Sequence, residues 1–134
     1  MMTELLSYNR DALQGAKVLV VEDEPVIAML MADWLDNVGA QVLGPVGSVE
    51  EAMQLIDQTL LDGGMSAAIL DINLGGEAVL PIADRLAAVG VPFIFATGYD
   101  ADCPRGEHRS KQVLIKPFTA QALLVAVRRL TTQA

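Results

Sequence analysis

Five residues in this chain have side chains suited to binding a cation and a phosphoryl group, and all five follow short apolar runs. Val18 to Val21 runs into Glu22 and Asp23, and Ala67 to Leu70 runs into Asp71. Phe93 to Ala96 runs into Thr97, and Val113 to Ile115 into Lys116 and Pro117. Three carboxylates brought together repel one another unless a cation sits among them. A few hard oxygen ligands with room for water suit Mg²⁺. A lysine and a hydroxyl facing the same spot add donors for an anion. A cation held by acids beside such donors is what phosphoryl transfer requires. Taken singly, each residue has an ordinary reading: an acid after a strand as a helix cap or solvated turn, Thr97 as a loop residue, Lys116 as a surface charge. All of them recurring in the right order favours a site.

Such a site exists only if the runs lie side by side and point the same way. Lys17 to Val21, Ala40 to Leu43, Ala67 to Leu70, Phe93 to Ala96 and Val113 to Ile115 are mostly uninterrupted rather than alternating, as in strands buried on both faces of a parallel sheet. Gly39 and Gly44 read as turn signals bounding the second run. Helix-period segments lie between the runs. Ile27, Leu30, Met31, Trp34, Leu35 and Val38 form one face, with Pro25 in the first turn and Gly39 past the end. Ser48 and Glu51 have capping-box spacing ahead of Ala52, Met53, Ile56 and Leu60. Val79, Ile82, Ala83 and Leu86 define a third helix that tolerates Pro81 only in its first turn. Thr119 caps a last helix with Leu123, Ala126, Val127 and Leu130 inward. The stretch from Asp100 to Lys111 is charged, holds Pro104 and Gly106, and offers hardly an apolar anchor, so it reads as a frayed helix or mobile loop.

The order is β-α repeated five times, which right-handed crossovers fold into a three-layer α/β/α sandwich. Ligands of such sheets bind outside the carboxyl ends of the strands. The bulk properties agree with one domain. The 134 residues are 52% hydrophobic but only 4% aromatic, so the core is built from aliphatic side chains. No apolar run is long enough to span a bilayer, and residues 1–16 lack the basic and apolar regions of a signal peptide. A net charge of −8 disfavours nucleic-acid and membrane partners. Cys103, the single cysteine, suits a reducing cytoplasm and reads as a loop residue.

The runs VLVVEDEP, AAILDINL, FATGY and LIKPF together resemble the receiver domains of two-component response regulators, over nearly the whole chain. The resemblance implies a flavodoxin-like (βα)5 fold with strand order 2-1-3-4-5, in a receiver domain over residues 16–131 after an N-terminal extension, 1–15. It implies a cytoplasmic single-domain response regulator phosphorylated on Asp71 by a histidine kinase or histidine phosphotransferase, with an unknown downstream protein as its target. Asp23, Asp71 and the backbone carbonyl of Asn73 would bind Mg²⁺ directly, and Glu22 would act through metal-bound water. Lys116, Thr97 and the Gly98 amide would hold phosphoryl oxygens, with Lys116–Pro117 commonly cis in the family. Such a protein catalyses only its own phosphorylation and dephosphorylation. FATGY resembles a Phe-Ala-Thr-Gly receiver subgroup.

Two departures stand out: Leu74-Gly75-Gly76 replaces the Met-Pro common in the family, and Val113 replaces an aromatic that swings inward on activation. Tyr99 either substitutes for that aromatic as a switch residue or covers the site. The competing functions are a phosphate sink draining a kinase and an aspartate-nucleophile phosphatase. The second would need an acid at Asn73 and a substrate cap.

Overall fold

The computed structural model describes residues 12–98, 106, 108 and 110–132. Five parallel strands form one sheet: β1 (Lys17–Val21), β2 (Gln41–Val46), β3 (Ala67–Asp71), β6 (Phe93–Thr97) and β7 (Val113–Ile115). Their order, β2-β1-β3-β6-β7, is the expected 2-1-3-4-5 when these five are counted along the chain. A short antiparallel pair, β4 (Asn73–Leu74) with β5 (Glu77–Ala78), follows β3. The helices are α1 (Pro25–Asp36), α2 (Val49–Leu61), α3 (Leu80–Ala88) and α4 (Ala120–Thr131).

Side chains alternate across the sheet and divide the core in two. On one face Leu19, Leu70, Phe93 and Phe95 pack with Ile56 of α2 and Ile82 and Leu86 of α3. On the other, Val18, Val20, Ile69 and Ile94 pack with Met31 and Leu35 of α1 and Leu123 and Val127 of α4. This is the three-layer sandwich, and burial on both faces of β1, β3 and β6 explains their uninterrupted apolar runs, while the edge strands β2 and β7 are more exposed.

The caps form as their spacing predicts. Ser48 Oγ accepts from the Glu51 N–H at 3.1 Å, and Thr119 Oγ1 accepts from the Ala122 N–H at 3.0 Å. Pro25 and Pro81 both fall in first turns. Leu30 differs from expectation: it lies 43% exposed, because Ala28 rather than Leu30 turns toward the sheet. Leu13, in the stretch read as an extension, is buried, and its N–H donates to the Val38 carbonyl at 2.9 Å.

Gly44 does not end β2. The register advances by two residues on β1, from Leu19 to Val21, and by three on β2, from Leu43 to Val46. Gly44, with φ +91°, sits in that bulge, where a Cβ would come within 2.8 Å of the Val46 nitrogen. The extension matters for the site, since the Val46 carbonyl accepts from the Glu22 N–H at 2.9 Å. Among the described residues no helix is long and apolar enough to cross a membrane.

Candidate functional site

Parallel register brings the chemistry to one edge of the sheet. Val21 pairs with Leu70, Asp71 with Ala96, and Thr97 with Ile115. The residues that end these strands or follow them, Glu22, Asp23, Asp71, Thr97 and Lys116, therefore meet. Ligand oxygens of Glu22, Asp23 and Asp71 lie within 4.8 Å of one another. Glu22, Asp71 and Thr97 are buried.

Lys116 joins two of the acids. Its Nζ lies 2.8 Å from Glu22 Oε1 and donates to Asp71 Oδ2 at 3.1 Å. The Lys116–Pro117 peptide is cis, as is Gly44–Pro45. Asp71 Oδ1 accepts from the Asn73 N–H at 3.1 Å, so its two oxygens answer to different donors. Glu22 Oε2 accepts from the Glu24 N–H at 3.1 Å, while Oε1 is buried without an aligned hydrogen bond. Burial first, and the nearby Asp71 carboxylate to a smaller degree, push Glu22 from an ordinary 4.5 up to about 7, against the Lys116 ammonium. For Lys116 burial acts downward, but Glu22 and Asp71 together outweigh it and hold the ammonium above its usual value.

A cleft of about 360 Å³ opens on this cluster, lined by Asp23, Asp71, Asn73, Gly75, Gly98 and Lys116 among others. Its wall is the hairpin. Gly75 and Gly76 have φ +56° and +95°, the positive values a two-residue turn of this hand requires. The Gly76 N–H donates to Asn73 Oδ1 at 2.9 Å, tying that side chain to the turn. A Cβ at Gly75 would lie 3.3 Å from Asp23 Oδ2. Three carboxylates beside one ammonium, which pairs with Glu22 and Asp71, leave excess negative charge, and their oxygens with room for water fit a small hard divalent cation.

The expected residues Glu22, Asp23, Asp71, Asn73, Thr97, Gly98 and Lys116 all come to this edge. Tyr99 lies outside the described residues, as does most of the stretch from Asp100 to Lys111. The direct pairing of Glu22 with Lys116 was not legible, because it depends on how two strand ends lean toward each other. The hairpin was legible in principle: Gly-Gly between Asn73-Leu74 and Glu77-Ala78 is a two-residue turn signal. In the stretch expected to offer hardly an apolar anchor, the described His108 is buried and packed edge-on against Phe93 at 5.3 Å.

No family model matches the chain. Among solved structures it is similar to SdrG from Sphingomonas melonis Fr1, with 42% identity, a TM-score of 0.71, and 89% of this chain and 97% of that one covered. The BeF3-activated conformation of SdrG, from Pseudomonas melonis Fr1, gives 40% identity and a TM-score of 0.70, covering 87% of this chain and 96% of that one. Among curated proteins, the phyllosphere-induced regulator PhyR of Methylorubrum extorquens is 32% identical over 107 residues, 78% of this chain and 39% of PhyR. The chain thus spans about two fifths of that relative's length.

Proposed function

The chain belongs to the response-regulator receiver family, and on that premise we propose that it is a signalling switch phosphorylated on Asp71. The observation that carries this reading is the setting of Asp71. It is buried at the carboxyl end of β3, with one oxygen on a backbone N–H, the other on the Lys116 ammonium, and Asp23 beside it. An Asp71 oxygen attacks phosphorus of a phosphohistidine. The P–O bond forms as the P–N bond breaks, and the imidazole leaves with the electron pair.

Lys116, already 3.1 Å from Asp71, neutralises charge on a phosphoryl oxygen, and Thr97 and the Gly98 amide donate to others. Asp23, Asp71 and the Asn73 carbonyl would hold Mg²⁺, with Glu22 reaching it through water. When bound, Mg²⁺ offsets the negative charge of the acids and the incoming phosphoryl group. Glu22 meanwhile holds the lysine in place from behind.

The donor is a histidine kinase or histidine phosphotransferase, and output passes by protein contact in the cytoplasm. The run from Phe95 to Tyr99 supports membership of the Phe-Ala-Thr-Gly subgroup. Phosphotransfer profiling against the histidine kinases of the source genome tests the reading: one kinase should transfer to this chain within seconds to minutes, and transfer from none would count against it. The lifetime of the acyl phosphate then separates a switch from a sink, since a sink must turn over quickly.

A further inference from the structure

A buried histidine that the acceptor chemistry leaves unused packs on the strand that carries Thr97. Phe93, Phe95 and Thr97 alternate onto one face of β6, the first two within the core shared with α2 and α3. The His108 ring stands edge-on to Phe93, with centroids 5.3 Å apart at 72°, and lies 6.5 Å from Phe95. Across the β6–β7 ladder the partner of Phe95 is Val113, which packs against the same core. The other end of His108 is tied to a helix: Nε2 lies 2.7 Å from Oδ1 of Asp84 on α3. A carboxylate only accepts, so Nε2 carries the proton. Two described residues near it in sequence also have close neighbours. Gly106 lies so close to Leu80 that a Cβ there would be 3.3 Å from Leu80 Cδ1, and Lys111 Nζ lies 4.9 Å over the Phe93 ring.

We propose that His108 is a positioning residue that couples the state of the acceptor site to the surface of α3, through Phe95 and Asp84. The inference rests on the reading of Asp71 as phosphoacceptor. Donation by Thr97 to a phosphoryl oxygen shifts the end of β6. Side chains packed on the same face at interior density cannot stay behind independently, so Phe95 and the ring against it must adjust. The Asp84 side chain is 66% exposed and can take water in place of the imidazole, whereas the His108 side chain is only 10% exposed. Breaking the bond therefore carries the cost of an unsatisfied buried donor on the histidine side, within reach of a phosphoryl-driven shift. The hydrogen bond therefore has two discrete states, made and broken, as a coupling element needs. α3 reads the difference.

Amide NMR spectra of the full chain, with and without beryllofluoride and Mg²⁺, test this in the wild type, Asp84→Ala and His108→Phe. Asp84→Ala alters an exposed helix position, and His108→Phe keeps a ring in the core, so at least one variant should fold. In the wild type, beryllofluoride should shift the amides of Asn73, Gly98 and Asp84 to Ala88. In both variants the Asn73 and Gly98 shifts should persist while those on α3 shrink by about threefold or more. A purely structural role would change the resting spectrum but not this ligand-induced difference. Undiminished α3 shifts in the variants, or none in a wild type that responds at Asn73 and Gly98, would overturn the coupling. A wild type silent at Asn73 and Gly98 would instead overturn the acceptor reading, and the coupling with it.

Discussion

The centre of the sheet and its carboxyl edge touch in sequence and obey opposite rules. Leu70 and Val21 are fully buried, and the next residues are Asp71 and Glu22. In the centre, each side chain removes apolar surface from water and stabilises the fold whatever its neighbours' charge. At the edge, carboxylates share a confined space with one ammonium, and burial lifts Glu22 toward neutrality. The edge would not hold together by itself; the centre holds it there. Stability and chemistry are thus separable within a few residues, and perturbations on either side of that boundary should show it.

The largest effects belong to the centre. Ile69→Ala, in a fully buried site two residues before Asp71, should cost about 2–5 kcal/mol in denaturant unfolding. Asp71→Asn should leave unfolding free energy within about 1 kcal/mol of wild type, since it removes one carboxylate from a crowded cluster. Comparable losses in the two variants would dissolve the distinction. Next comes cation binding, which should divide the edge itself. Asp23→Ala should weaken Mg²⁺ binding on the order of tenfold more than Glu22→Ala, because Glu22 is engaged with Lys116. A titration in which Glu22→Ala is the worse variant would reverse those roles.

A smaller effect follows from the raised Glu22 carboxyl. Its folded pKa of about 7 exceeds the ordinary 4.5, so between these values the folded protein binds more protons than the unfolded chain. The contribution of Glu22 is complete below about pH 4.5 and is lost as pH rises through 7. Thermal melts of metal-free protein should show this decline, and Glu22→Gln should flatten it. An identical slope in the variant would contradict the assignment. The smallest effect lies away from both regions: Thr119→Ala removes the cap of α4 and should cost about 1 kcal/mol with the acceptor site unaffected.

What could be read from sequence follows the same division. Apolar runs reported β1 and β7 to the residue: in β1 burial on both faces leaves four apolar residues uninterrupted, whereas the edge strand β7 stays apolar even at Ile115, which is 44% exposed. Helix periodicity and caps placed α1 to α4, and the acids, Thr97 and Lys116 were legible because each directly ends or follows such a run. Features that depend on backbone irregularity or on distant partners were not. Gly44 looked like a turn but marks a bulge, since glycine serves a positive φ equally in either setting. Gly75 and Gly76 carry a two-residue turn signal, but that the hairpin they close walls the site shows only once Asn73 and Ala78 pair. His108 sits in a charged stretch, and nothing local tells that its ring will lie against Phe93 and its nitrogen against Asp84.

Asp71 as the phosphoryl acceptor is the claim on which the rest depends, and intact-mass spectrometry tests it directly. Incubation with Mg²⁺ and acetyl phosphate should add one phosphoryl group to the wild-type chain and none to Asp71→Asn, even though that variant is folded. Equal labelling of the two would contradict the account.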